Sequence, residues 1–214
     1  MPASPTLADE AYDAVEALIV TLELAPGSVF SEGDLSDRVG IGRTPLREAL
    51  QRLASERLVV ALPRRGMLVS PIDLADVQAL LETRRALERL VARAAARRAT
   101  PDQRDALNRC ADAIEAAASA DDLDAFLRAD RDGDALLEAA SRNPYATRTL
   151  STLHVHCRRL WVYFRHDGDL VRSATLHADL LRAVAASDET AAAQAADRLL
   201  DYLSALAHDT LTLS

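Results

Sequence analysis

Apolar residues recur along most of this chain at intervals of three and four, the period of a helix with one buried face. The first such stripe, Tyr12, Val15, Leu18, Ile19 and Leu22, predicts a helix over residues 7–23. Pro26-Gly27 marks a turn, and Ser31 stands where it would cap a short helix over 32–39 with Leu35 and Val39 inward. After Gly40-Ile41-Gly42, the stripe Leu46, Ala49, Leu50, Leu53 predicts a third helix. Thr44 is its expected N-cap and Pro45 its first helical residue, since the fixed φ of proline suits a helix start. The period then changes. Leu58 to Leu62 reads as a strand, Pro63-Arg64-Arg65-Gly66 as its turn and Met67 to Val69 as the returning strand. Three helices and a two-stranded ribbon make a winged helix-turn-helix over residues 1–72.

No strand signal remains after Ile72. Helical stripes run over 74–99, from 101 to about 119, and over 123–140, 145–164, 170–186 and 188–211. Pro101, Asn143-Pro144 and the loop His166-Asp167-Gly168-Asp169 punctuate them. Six helices with short connections predict an all-α antiparallel bundle over residues 73–214. The expected fold class is mainly α, an N-terminal winged helix-turn-helix followed by that bundle.

The third helix has a second stripe. Arg43, Arg47 and Gln51 follow a four-residue step that points away from the apolar face. A helix apolar behind, with guanidinium and amide forks in front, suits a major groove, where Arg grips G O6/N7 or phosphate oxygens. Glu48 and Arg52, four apart, are read as a pair on the helix surface. Charge distribution supports a polyanionic partner. The chain carries a net charge of −8, which argues against a general nucleic-acid coat. Yet residues 38–65 hold seven arginines against Glu48 and Glu56, a local excess of five positive charges. Arg64 and Arg65 sit at the ribbon tip, placed for the DNA backbone or minor groove. The expected partner is double-stranded DNA.

The bundle helices interrupt their own apolar stripes. Val77, Leu80, Arg84, Leu87, Val91 is broken by Arg84; Leu123, Phe126, Asp130, Asp134, Leu137 by two carboxylates; Leu170, Ala174, His177, Leu181, Val184 by His177. Burying charge is costly unless it is paired or binds a metal or ligand. One reading is a dry salt bridge of Arg84 with Asp130 or Asp134, beside a satisfied core histidine. The other is an effector pocket lined by Arg84, Asp130, Asp134 and His177. His154, His156 and His208 flank their stripes and are read as surface or rim. Cys110 and Cys157, without CxxC spacing, are read as buried thiols. No GxGxxG, GKS/T, HExxH or GxSxG motif occurs, so nothing supports an enzyme. The absence of a leader pattern and of an apolar run of about 18 residues leads to the expectation of a cytoplasmic protein with no membrane partner.

Leu24-Ala25-Pro26-Gly27, Leu35-Ser36, the run Gly40-Ile41-Gly42-Arg43-Thr44-Pro45-Leu46-Arg47-Glu48-Ala49-Leu50 and Arg65-Gly66 resemble the DNA-binding domain of the GntR family of bacterial transcription regulators. The resemblance implies that Arg43, Thr44 and Arg47 contact operator DNA, with Arg65 and Gly66 at the wing. Two positions depart from the pattern. Gly33 stands where the fatty-acid regulator of this family has a DNA-contacting Arg, and Gly42 where Ser or Thr is usual. Downstream, Glu82-Thr83-Arg84-Arg85-Ala86-Leu87-Glu88, Ala139-Ala140-Ser141-Arg142-Asn143-Pro144 and the His177 helix resemble the FCD type, the fatty-acid and organic-acid responsive branch. That type often holds a divalent metal with an Asp, a His four residues on, and a His on each of the last two helices. Asp130 and His177 match; Asp134 replaces one His and Leu199 the other. The resemblance therefore implies a degenerate metal site of Asp130, Asp134 and His177, with no required cofactor and at most a weakly bound divalent cation. The whole reads as a homodimeric, operator-binding repressor modulated by a small organic acid that binds a palindromic site. The alternative is a small-molecule- or metal-binding helical sensor with lost or weak DNA binding.

Overall fold

The computed structural model describes residues 6–212, in which nine helices and one small sheet follow the chain. Contacts divide it into two compact units, Met1–Asp73 with Arg158–Tyr163, and Leu74–Cys157 with Phe164–Ser214.

The first unit begins with α1 (Leu7–Val20), whose start is fixed by a capping box. Asp9 N–H donates to Thr6 Oγ1 at 3.2 Å, and Thr6 N–H donates to the Asp9 carboxylate at 3.0 Å. Ser31 caps α2 (Glu32–Val39) as expected, and Gly40 closes it at φ +69. Helix α3 (Arg43–Ser55) buries Leu46, Ala49, Leu50 and Leu53, as the apolar stripe predicts. Its start departs from the sequence reading. Gly42 is the N-cap, without a side-chain hydrogen bond, so Thr44 lies inside the first turn and Pro45 at its third residue. Proline is tolerated there because the first-turn N–H groups have no helical acceptor. Arg52 does not pair with Glu48; it reaches Glu56 at 3.3 Å and Asp9 at 3.7 Å, and lies 3.7 Å over the Tyr12 ring. Tyr12 in turn donates its hydroxyl to Glu56 at 2.5 Å, tying α1 to the end of α3.

Strands β2 (Val59–Leu62) and β3 (Gly66–Val69) form the expected ribbon. A third strand, β1 (Val29–Phe30), pairs antiparallel on the far side of β3, giving the order β1-β3-β2. Two residues are too short a run to announce themselves by alternation. Gly66 has φ +96, and a Cβ there would lie 2.4 Å from the Phe30 carbonyl oxygen. Glycine at this corner is what lets β1 close on β3.

The second unit contains α4 (Leu74–Arg98), α5 (Pro101–Ser119), α6 (Leu123–Ser141), α8 (Asp169–Ala185) and α9 (Glu189–Thr212), together with α7 (Pro144–Phe164) up to Cys157. Helix α4 packs on α9 and α6, α5 on α8 and α6, and α8 on α9. Thr100 and Gln103 cap α5 reciprocally, and Asp122 caps α6 by accepting from Ala125 N–H at 2.8 Å. Caps of this kind are worth about 1 kcal/mol each. The larger contribution is the alanine- and leucine-rich interior. Gly133 on α6 marks a close approach, where a Cβ would meet Leu181 of α8 at 3.2 Å. Both cysteines are buried, and neither is in a disulfide. No helix among the described residues is long and apolar enough to cross a membrane.

Candidate nucleic-acid interface and interior polar site

The exposed side of α3 carries Arg43, Thr44, Arg47 and Gln51, all solvent-accessible, while the apolar stripe holds the opposite side. Arg47 Nε donates to Glu32 of α2 at 2.6 Å. That leaves its two terminal nitrogens as a fork, and an exposed pair of this sort is weak enough to be exchanged for a base or phosphate. Arg64 and Arg65 are exposed in the tight turn between β2 and β3, Arg64 at φ +62. Gly66 follows them with a backbone role of its own, given above. At Gly33 a Cβ would meet Ser31 Oγ at 3.7 Å and an Arg43 guanidinium nitrogen at 3.8 Å. Arg43 thus leans over the bare start of α2. The exposed side of α3 and the β2–β3 turn are rich in arginine and carried on regular elements, an arrangement that suits reading a groove.

Inside the bundle, Arg84, Asp130, Asp134 and His177 all border one small cavity of ≈ 10 Å³, together with apolar side chains that include Ile114, Leu137, Leu181 and Leu199. Arg84 does not take Asp130 or Asp134 as its hydrogen-bond partner. Arg84 Nε donates to Glu88 Oε2 at 3.0 Å, within the same helix. His154 of α7 donates from Nε2 to that same oxygen at 2.9 Å, and its Nδ1 stands 2.9 Å from Asp134 Oδ2. The second contact is an ion pair rather than a well-aligned hydrogen bond. Asp130 faces His177, with Oδ1 3.0 Å from Nε2.

Glu88 and His154 were invisible to stripe analysis. Glu88 is 1% exposed, because α4 turns Leu81, Arg84, Glu88 and Val91 inward rather than Leu80 and Leu87. His154, expected at the rim, is 2% exposed. His208 is exposed as expected, and His156 is half-buried. The one available signal was charge itself, since a buried Arg needs a carboxylate and Glu88 lies four residues on. Burial works against charge on Glu88, but the His154 and Arg84 cations outweigh it and hold the carboxyl at about 2. Burial likewise opposes the His154 cation, yet Asp134 and Glu88 lift the imidazole to about 9.

These positions test the metal that the family pattern implies. His177 is presented as a ligand would be: its Nδ1–H donates to Ser173 O at 2.8 Å, aiming Nε2 at Asp130. The other two positions do not fit. Asp134 has Oδ2 against His154 and stands where the family pattern has an imidazole, and Leu199, fully buried, has no donor atom. Among the described residues no three His, Cys, Asp or Glu side chains are grouped to hold a metal ion. Two donors fall short of the three or four that zinc and its neighbours take.

Comparison with known proteins places these two regions. Residues 7–69 match the family model described as bacterial regulatory proteins, gntR family, and residues 79–202 match the FCD domain. The chain is 30% identical over 187 residues to the HTH-type transcriptional repressor RspR of Escherichia coli K12, covering 87% of this chain and 82% of that protein. It is 45% identical over 74 residues to an uncharacterised HTH-type transcriptional regulator in an unstable DNA locus of Streptomyces ambofaciens; the match spans 33% of this chain and 31% of that protein's length. The fold is shared with E. coli McbR/YncC at a TM-score of 0.84 and 18% identity, over 97% of this chain and 100% of the other.

Proposed function

From the premise that the chain belongs to the GntR family and is a DNA-binding transcription regulator of its FCD type, we propose that it acts as a homodimeric repressor released by a small organic acid. The observation that carries the DNA-reading part is the exposed row Arg43, Thr44, Arg47, Gln51 on α3, backed by Arg64 and Arg65 at the wing. Two copies related by a two-fold axis present two such helices, which suits a palindromic operator. The 30% identity to a protein named as a repressor favours repression over activation.

Arg84 supports the acid effector. Among the described residues it is the guanidinium bordering a cavity otherwise lined by carboxylates, an imidazole and hydrocarbon, and its fork suits a carboxylate. A cavity of ≈ 10 Å³ holds about one water. An organic acid therefore enters only when the bundle loosens, so it favours an open form through differential affinity. Release from DNA follows if the open form binds operator less well.

Gel shifts on a selected operator test the reading. Arg47→Ala should weaken specific binding by about 1–3 kcal/mol, the worth of a base-reading arginine. Arg65→Ala should weaken all sequences evenly and reduce the salt slope by about one phosphate contact. Wild-type binding by Arg47→Ala would remove α3 as the reading helix. Failure of wild type to bind any duplex would favour the sensor reading without operator binding.

A further inference from the structure

Three donors drawn into one cavity would ordinarily invite a divalent cation, and here the chain supplies its own positive charge instead. Arg84, Glu88, His154 and Asp134 form a row of alternating sign, linked at 3.0, 2.9 and 2.9 Å. All four are buried, and their formal charges cancel when the imidazole carries both protons. Its two nitrogens each face a carboxylate oxygen, so each needs a proton. Helices α4, α6 and α7 contribute to the row, which makes it a cross-brace of the bundle as well as a charge balance.

We propose that His154 takes the place of the metal in this chain: its ring engages Asp134, so that Asp130, Asp134 and His177 do not hold a divalent cation. Three features support this. A divalent ion in the cavity would sit beside Arg84, a fixed cation bordering the same space. Leu199 lines the cavity with hydrocarbon at the position where the family pattern has another imidazole. Asp134 already has Oδ2 2.9 Å from the buried His154 ring, so it offers a cation at most its other oxygen, and the buried contact holds the carboxylate in place. The inference rests on the interior site alone, so failure of the repressor reading leaves it standing.

The test uses the full chain purified without a metal-affinity tag. Elemental analysis of the wild type should find zinc, nickel and manganese well below one per chain. Its unfolding temperature should be the same in EDTA and in added Mn²⁺ or Zn²⁺, because a ligand that does not bind the folded state cannot stabilise it. His154→Gln removes the cation and releases Asp134 to join Asp130 and His177. Titration calorimetry should then show Mn²⁺ or Zn²⁺ bound more than about tenfold tighter than by wild type, since even supporting groups around a metal change affinity by about 10–100-fold. Its unfolding temperature should rise with metal and fall again with EDTA. Stoichiometric metal in the wild type, or a metal-dependent rise in its unfolding temperature, overturns the proposal. So does a folded His154→Gln variant whose metal affinity equals that of wild type. If that variant does not fold, the two wild-type measurements decide.

Discussion

Replacing Glu88 with Gln keeps the shape of the side chain and removes a carboxylate that both Arg84 and His154 touch. Two buried cations are then left with Asp134 as their nearest anion, at 2.9 Å from His154. Removing one partner of a buried ion pair costs about 3–5 kcal/mol, because the remaining charge stays desolvated. For a chain of this size that lowers the unfolding temperature by roughly 6–20 °C. Glu82→Gln on the same helix is the control, since Glu82 is exposed and its change should stay within about 0.5 kcal/mol. The pH profile adds a signature. Glu88 is held at about 2 instead of 4.5, so its contribution is complete above pH 4.5 and is lost as pH falls towards 2. His154 is lifted to about 9 from 6.5, so its contribution is complete below pH 6.5 and is lost as pH rises through 9. Wild-type stability should be flat from pH 4.5 to 6.5 and decline to pH 9 by on the order of 1 kcal/mol per pH unit. Glu88→Gln should shrink that alkaline decline. Denaturant unfolding of both variants across pH measures all of this. A Glu88→Gln stability equal to that of Glu82→Gln, or a wild-type profile flat to pH 9, would refute the charge-row account.

Two other outcomes follow from particular residues. Gly66→Ala must escape both φ +96 and a 2.4 Å approach to the Phe30 carbonyl, so it should destabilise the wing by about 1–3 kcal/mol; faster amide exchange in β1 and β3, with weaker DNA binding, checks it. A fragment of residues 74–214 should fold and dimerise, because its helices carry a core of their own; light scattering that finds a folded monomer contradicts this.

The helices were legible because their stripes are long and their boundaries carry proline, glycine and capping residues. What the pattern missed has local causes. β1 has only two residues, and its existence depends on Gly66 admitting the Phe30 carbonyl. The α3 cap moved because Gly42 takes extended backbone, at ψ 156, without offering a side chain. In the interior, Arg84, Asp130, Asp134 and His177 do face one cavity and His177 is met by Asp130, but Arg84 pairs with Glu88 rather than with Asp130 or Asp134. Pairing depends on which faces of α4, α6 and α7 meet, and a stripe on one helix holds no information about that. The sequence pattern puts His154 at the rim and does not single out Glu88, and only the packed bundle shows the row they complete.

The most direct measurement is selection of random duplex DNA by the purified full-length chain, followed by sequencing of what it retains. Wild type should enrich an inverted repeat that Arg47→Ala does not enrich, and each protein should retain less DNA as salt rises. Recovery of unenriched DNA by wild type, or of the same repeat with equal efficiency by Arg47→Ala, would contradict the claim that α3 reads an operator.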